Sequence, residues 1–402
     1  MGKQGITSKT GIIEEVSYGV FPGTPGMKRV EVADDSLSPD FGYSDPETIS
    51  GNLVKTANIR TRKTVSGSIN IIGGPENGFG NFLKFGSGQE TVINDGYHWR
   101  ENFTYLVGET VQTLAYAPIV TSSQRVWYKT ALTGVWRLLV LTTDYTIVDA
   151  TGVITLVVPA AADDLLLVSY GESVSGVYSH IIQSSTDIPS FQYWNTEGGV
   201  ELFEYTGSKV NTLSVSVNSE DFLQASVDLI CQDERYGTVT GHTFPPELVL
   251  SNLDPFLFKH ANVEVDFIAN FDYESVEISL DNALDPVYTI RCSDTVKDLT
   301  PTIQTVALSA EIEFNDMIEY NQVVDGTFFI VKVEYGKCAG FEIGTTNRNY
   351  SFEFFAPRVR NEAPDLPTNR DRMILSVEGF ANYDSQFDMA YEWVLINTES
   401  TL

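Results

Sequence analysis

The sequence predicts a mostly β chain: two tandem β-sandwich or barrel-like domains, each with one short helix, plus a small β-domain inserted in the first. Three observations predict this. Four short blocks recur in the same order along the chain. The runs between them alternate apolar and polar residues with the two-residue period of a half-buried strand. Gly, Pro, Asn and Asp clusters break those runs at short intervals, as turns do.

Asp34-Asp35-Ser36-Leu37-Ser38-Pro39 returns as Asp281-Asn282-Ala283-Leu284-Asp285-Pro286, 247 residues on. Val65-Ser66-Gly67-Ser68-Ile69-Asn70-Ile71 returns as Leu308-Ser309-Ala310-Glu311-Ile312-Glu313-Phe314, 243 residues on. Phe203–Val210 returns as Phe352–Val359 and Ser226-Val227-Asp228 as Ser376-Val377-Glu378, at offsets of 149 and 150. The offset falls by about 94 residues between the second and third blocks, so the first copy carries an insertion of that size. The predicted organisation is an N-terminal arm (1–16), a first domain (17–87 plus 179–240), an inserted outward-facing β-domain (88–178), a linker (241–256) and a second domain (257–402). Each piece except the arm and linker is long enough to bury a core.

Lys28–Val32 reads as a short strand after the turn-rich Tyr18–Gly26. Residues 40–64 form a long aperiodic loop, and within it Asn52–Lys63 carries Lys55, Arg60, Arg62 and Lys63 with no acid. Long loops in compact domains are usually functional. Glu76–Phe85 has the 3–4 spacing of a short helix (Phe79, Phe82, Leu83), and Phe314–Gly326 repeats it with Asn and Asp at its start and Gly at its end. The insertion is a run of strands: Arg125–Tyr128, Arg137–Thr142, Thr146–Val148, Val153–Val158 and Leu165–Tyr170, with a hairpin turn at Asp149-Ala150-Thr151-Gly152. Val210–Asn218 and Ala225–Ile230 read as a hairpin. Val263–Phe267, Ser275–Leu280, Phe328–Glu334, Tyr350–Phe355, Met373–Phe380 and Tyr391–Ile396 are the strands of the second copy.

The 402 residues include 54 acids and 25 bases, a net charge of −29. The imbalance is steepest in residues 251–402, with 26 acids against 10 bases. Such a surface repels nucleic-acid phosphates and excludes DNA binding by counterion release. There is no apolar stretch of the length a membrane span requires, nor an N-terminal apolar region of the secretory type. Three cysteines without CxxC spacing argue against a disulfide framework and fit synthesis in a reducing compartment. No GxSxG, Walker A, HExxH or GxGxxG motif is present. The four histidines (His98, His180, His242, His260) lack metal-ligand spacing. No catalytic, cofactor-binding or metal residue is predicted.

Gly19-Val20-Phe21-Pro22-Gly23-Thr24-Pro25, Ser36-Leu37-Ser38-Pro39, Val65–Ile71, Phe82-Leu83 and Tyr205–Val215 stand in an order that resembles the major tail tube protein of long-tailed, non-contractile bacteriophages. Ser279–Leu284, Glu313-Phe314 and Pro357-Arg358-Val359 resemble the second tube domain of its tandem members. The resemblance implies tube domains whose inner sheets join into a barrel around a lumen. It implies three two-domain chains per pseudo-hexameric ring, and rings stacked into a tube in the virion, made in the host cytoplasm. Tail tip, terminator and tape-measure proteins are the implied partners, with no membrane and no enzymatic activity, and DNA passes without specific binding. An acidic lumen is expected, and the basic Lys55, Arg60, Arg62 and Lys63 are the candidate contact to a neighbouring ring. The other readings are a receptor-binding or decoration β-protein that recognises host glycans through the insertion, and a glycan-active enzyme, for which the sequence offers no residue set.

Overall fold

The computed structural model describes residues 9–20, 27–44, 59–131, 134–197, 201–219, 221–238, 254–270, 272–314, 318–336, 341–362 and 373–402. The first domain is two antiparallel sheets packed face to face. One sheet runs Lys28–Val30, Lys9–Glu14, Phe191–Glu197, the first half of Glu201–Asn218, then Asp233–Thr238. The other runs Ser38–Ser44, Ile59–Ile72, Gln224–Cys231 and the second half of Glu201–Asn218. The long strand Glu201–Asn218 serves both sheets. It turns between them around Gly207, whose φ of 58° only glycine holds without strain. Bulges in its pairing, at Phe191/Tyr193 on one side and Val210/Thr212 on the other, add to the bend.

Alternation explains the core. Val65, Ile69, Ile71, Leu213, Val215, Val227 and Leu229 point inward from one sheet and meet Ile12, Val30, Phe191, Tyr193 and Tyr205. The helix Phe79–Ser87 lies within this core. Phe79, Phe82, Leu83 and Phe85 are no more than 2 % exposed, and each contributes roughly 1.5–3 kcal/mol by burial. Phe85 stacks on Phe191 with centroids 4.4 Å apart, and Phe79 meets Phe352 of the second domain edge-on at 5.1 Å. Gly88, at φ 100°, stops the helix, and its amide donates to the Lys84 carbonyl.

The second domain repeats the first element by element. Ala261–Val265, Ile268–Asn270, Tyr273–Asp281, Thr305–Glu313, the helix Ile318–Asp325, Phe329–Tyr335, Ser351–Asn361, Ile374–Ala381 and Glu392–Asn397 follow in the same order and pairing. The rung Asp34–Asn70–Ser226 of the first domain corresponds to Ser275–Glu311–Ser376 of the second. Likewise Lys209–Ile230 corresponds to Arg360–Phe380. These rungs move the second and third sequence blocks by two residues, a shift that keeps every side chain on its face. The first block moves further: Asp34 stands where Ser275 does, not where Asp281 does. Asp-x-x-Leu-x-Pro is turn chemistry, set locally, and it recurs at opposite ends of equivalent strands.

The segment read as a polar arm holds a strand. Ile12 and Ile13 are buried, and Lys9–Glu14 pairs with Phe191–Thr196; residues 1–8 lie outside the described ones. Most of the expected linker, 241–253, also lies outside them, whereas Phe256 at its end is fully buried beside Tyr335, Phe341 and Phe352. Asn315 and Asp316, expected to cap the second helix, are likewise not described. Within residues 88–178 two small sheets enclose a separate core of Tyr105, Leu114, Ile119, Val126, Tyr145, Ile154, Leu166, Val168 and Tyr170. The strands at its base follow the helix Phe79–Ser87 of the first domain and lead back into Phe191–Glu197. Gly88–Ile93 pairs with Tyr178–Ser184, which pairs with Glu392–Asn397, so the base of the insertion extends a sheet of the second domain.

Candidate functional site

The two domains share a sheet. The second half of Glu201–Asn218 pairs with Tyr273–Asp281, from Thr212 opposite Asp281 to Asn218 opposite Ser275. One antiparallel sheet therefore crosses the chain, in the order Ser38–Ser44, Ile59–Ile72, Gln224–Cys231, Glu201–Asn218, Tyr273–Asp281, Thr305–Glu313, Ile374–Ala381 and the end of Ser351–Asn361. Among the described residues Ser38–Ser44 pairs on one side only, so the sheet has an open edge there. Open edges template pairing with another chain.

One face of this sheet is core. The other is polar across both domains. Cross-strand rows run Asp34–Asn70–Ser226–Ser214–Ser279 and Gln224–Ser216–Glu277–Ser309–Glu378, with Ser68–Asp228–Thr212–Asp281–Thr305 beside them. The face is hollowed over Ser216, Asn218, Ser275, Glu277, Ser309, Glu311, Ser376 and Glu378, a groove of about 460 Å³. Short hydrogen bonds hold its carboxylates in place: Asn70 Nδ2 donates to Asp34 Oδ1 at 2.6 Å, and Ser214 Oγ to Glu277 Oε1 at 2.5 Å. Partial burial raises the Asp228 carboxyl above its usual range. The face thus presents serines and carboxylates side by side across both domains.

The four basic residues singled out by sequence do not form one cluster. Lys55 lies outside the described residues. Arg60 pairs with Asp294 at 2.5 Å and lies over the Phe41 ring at 4.3 Å. Lys63, 9 % exposed, binds Asp233 Oδ1 at 2.8 Å and the Glu234 carbonyl at 3.0 Å. Arg62 is exposed. So Arg60 and Lys63 hold the hairpin Ser38–Ser44/Ile59–Ile72 against its own chain, which net charge alone did not reveal. Of the histidines, His242 lies outside the described residues, and His260 Nδ1 accepts the Leu257 N–H at 3.2 Å. His98 bonds Ser169 Oγ at 2.7 Å, and His180 sits between Glu90 at 2.7 Å and the Glu399 carbonyl at 2.9 Å. Among the described residues no cluster of His, Cys, Asp and Glu has the makings of a metal site. No described helix is long and apolar enough to cross a membrane.

Across the junction the second domain clasps the first. Leu284, Val296 and Leu299 pack with Ile188 against Tyr18 and Ile230. Lys209 Nζ donates to the Leu299 carbonyl at 3.0 Å. Asn282, fully buried, donates through Nδ2 to the Gly86 and Val210 carbonyls, each at 2.9 Å. Its backbone N–H reaches the Asn211 carbonyl at 2.8 Å, and the Leu284 N–H reaches Asn211 Oδ1 at 3.0 Å.

The insertion is fastened to the second domain by a buried charge cluster. Arg100 Nη1 and Nη2 bind Glu353 and Glu392, each at 2.5 Å, and the guanidinium lies 3.7 Å from the Phe355 ring centroid. Trp127 stacks on Phe387 and donates its indole N–H to the Gln386 carbonyl at 3.1 Å. Arg348 pairs with Glu172 at 2.6 Å. The sequence signalled none of these partners, which lie more than 170 residues apart.

A family model described as phage tail tube protein matches residues 5–379. No curated protein matches the chain.

Proposed function

The chain belongs to the phage tail tube protein family, a structural component of the virion, and from that premise we propose that three copies close into a ring whose inner wall is the polar concave sheet. Stacked rings form the channel through which DNA is ejected. The observation that carries this reading is the shared sheet: two equivalent domains joined by ordinary strand pairing, with an open edge at Ser38–Ser44. A junction that joins two equivalent domains within a chain can join the same two domains between chains. Repeating it removes the open edges, and heterologous contacts that close make rings. Two domains per chain give six walls from three copies. The insertion, whose base extends a sheet of the second domain, then stands outside the tube, once per chain.

The polar face supports the role of a conduit. A lumen lined by Asp34, Asp228, Glu277, Asp281, Glu311 and Glu378 repels phosphates, so DNA passes without sticking. The hairpin that carries Arg60, Arg62 and Lys63 sits at the open edge of this wall. With Arg60 and Lys63 paired within the chain, Arg62 and Lys55 are left as the proposed basic contacts to a stacked ring.

Phage bearing Glu277→Lys, Glu311→Lys and Glu378→Lys are expected to build tails of normal length, because these side chains are not core. Their DNA ejection is expected to slow by about tenfold or more at low salt, since new lysines hold phosphates, and to recover as salt rises. Ejection kinetics from purified virions check this. An unchanged rate at low salt argues against a DNA-facing wall.

A further inference from the structure

The internal junction has a counterpart that is exposed among the described residues. In the first domain, Ile188, Lys209 and Ile230 are covered by the second domain, with Leu284 buried among them. The rung equivalence places Arg360 at Lys209 and Phe380 at Ile230, and Glu362 follows Asn361 as Asn211 follows Val210. Next to them Phe328 and Val324 are exposed, at 46 % and 65 %. Arg358 lies over the Phe328 ring at 4.0 Å, and the Arg360 guanidinium packs over Gly326. An apolar and basic patch thus stands in an otherwise acidic domain. At the other end of the chain, the same equivalence places Tyr43 at Leu284 and Phe41 at Asn282. Leu284 is buried, whereas Tyr43 is 58 % exposed.

We propose that Phe328, Arg358, Arg360, Glu362 and Phe380 form the acceptor for the edge strand Ser38–Ser44 of a second copy of this chain, with that copy's Tyr43 in the place Leu284 fills within the chain. This rests on the ring reading and names the surfaces that close it. Asn211 shows the bonding to expect. Its carbonyl and side-chain oxygen receive the Asn282 and Leu284 amides. The Glu362 carbonyl and carboxylate receive the Phe41 and Tyr43 amides in the same way. The two junctions share a backbone pattern but differ in side chains. Phe380 and Arg360 stand where Ile230 and Lys209 do, Tyr43 stands where Leu284 does, and the exposed Phe328, with Arg358 over its ring, stands where Ser190 does. Aromatic and arginine anchors suit a contact made between separate molecules, where they carry most of the binding energy. The internal contact is made within one chain and needs no such anchors. The same difference in side chains disfavours the edge strand pairing with the wrong domain.

Photocrosslinking tests this. Tyr43→p-benzoylphenylalanine adds a reactive aromatic at an exposed position. A mixture of isotope-labelled and unlabelled protein is irradiated and digested, while the same sample is imaged by negative-stain electron microscopy. The expected product is a crosslink between copies, from residue 43 to a peptide containing Phe328, Arg358–Glu362 or Phe380, with a trimer band that Arg360→Glu abolishes. Rings with crosslinks only elsewhere, or only within one copy, overturn this interface and leave the ring reading intact. Absence of rings in the unsubstituted protein overturns both.

Discussion

Arg100→Ala is expected to destabilise the chain by about 3–5 kcal/mol, the cost of leaving buried carboxylates without their partner. The side chain of Arg100 is 1 % exposed, and those of Glu353 and Glu392 are 3 % and 5 % exposed. The loss should be local: the sheet Gly96–Thr104, Leu165–Ser173, Arg125–Lys129 should lose hydrogen-exchange protection before the concave sheet does. Chemical denaturation with tryptophan fluorescence reads the magnitude, and exchange mass spectrometry reads the location. Replacing all three together, Arg100→Met with Glu353→Gln and Glu392→Gln, should recover much of the loss, because paired burial gives little net stability whereas broken pairs cost much. A loss under about 1 kcal/mol for Arg100→Ala would mean that the cluster does not fasten the insertion.

Asn282→Leu should cost about 2–4 kcal/mol and loosen the two domains. The substitution leaves the Gly86 and Val210 carbonyls without the amide they accept from, and unsatisfied buried groups cost about 1–3 kcal/mol each. Asn282 Oδ1 also accepts from Gln304 Nε2 at 2.7 Å, so a further donor loses its partner. The expected result is earlier unfolding together with faster exchange in Tyr273–Asp281 and Thr212–Asn218, the strands that join the domains. Normal exchange there, with a fall in stability elsewhere, would contradict a junction held from Asn282.

These two residues show what a sequence makes legible. Alternation in Val210–Asn218 and Ser275–Leu280 marks strands with a polar face, because burial on one face imposes the pattern locally. The helix at Phe79 and the turn at Asp149–Gly152 are legible for the same reason: each is set by neighbours in sequence. The duplication survives as repeated blocks: the second and third give its register to within two residues, a shift that leaves each face unchanged, whereas the Asp34–Pro39 turn block misplaces it by six. What brings Thr212 beside Asp281, Arg100 beside Glu392 or Lys63 beside Asp233 is tertiary packing, and nothing near those residues in sequence encodes the partner. Lys63 is the clearest instance. Within a basic run it reads as a free surface charge, yet the sheet turns it inward to a carboxylate. The acids of the concave face are hidden in the opposite way: in a chain with 54 acids, composition does not single out Glu277, Glu311 and Glu378 until strand register lines them up.

Cryo-electron microscopy of tubes assembled from the purified chain counts the copies in a ring and shows which sheet face lines the bore. Rings of three copies are expected, with six similar walls, Glu277 and Asp228 facing the lumen and three projections outside. Rings of six copies, or a bore lined by the opposite face of the sheet, would contradict the shared-sheet ring.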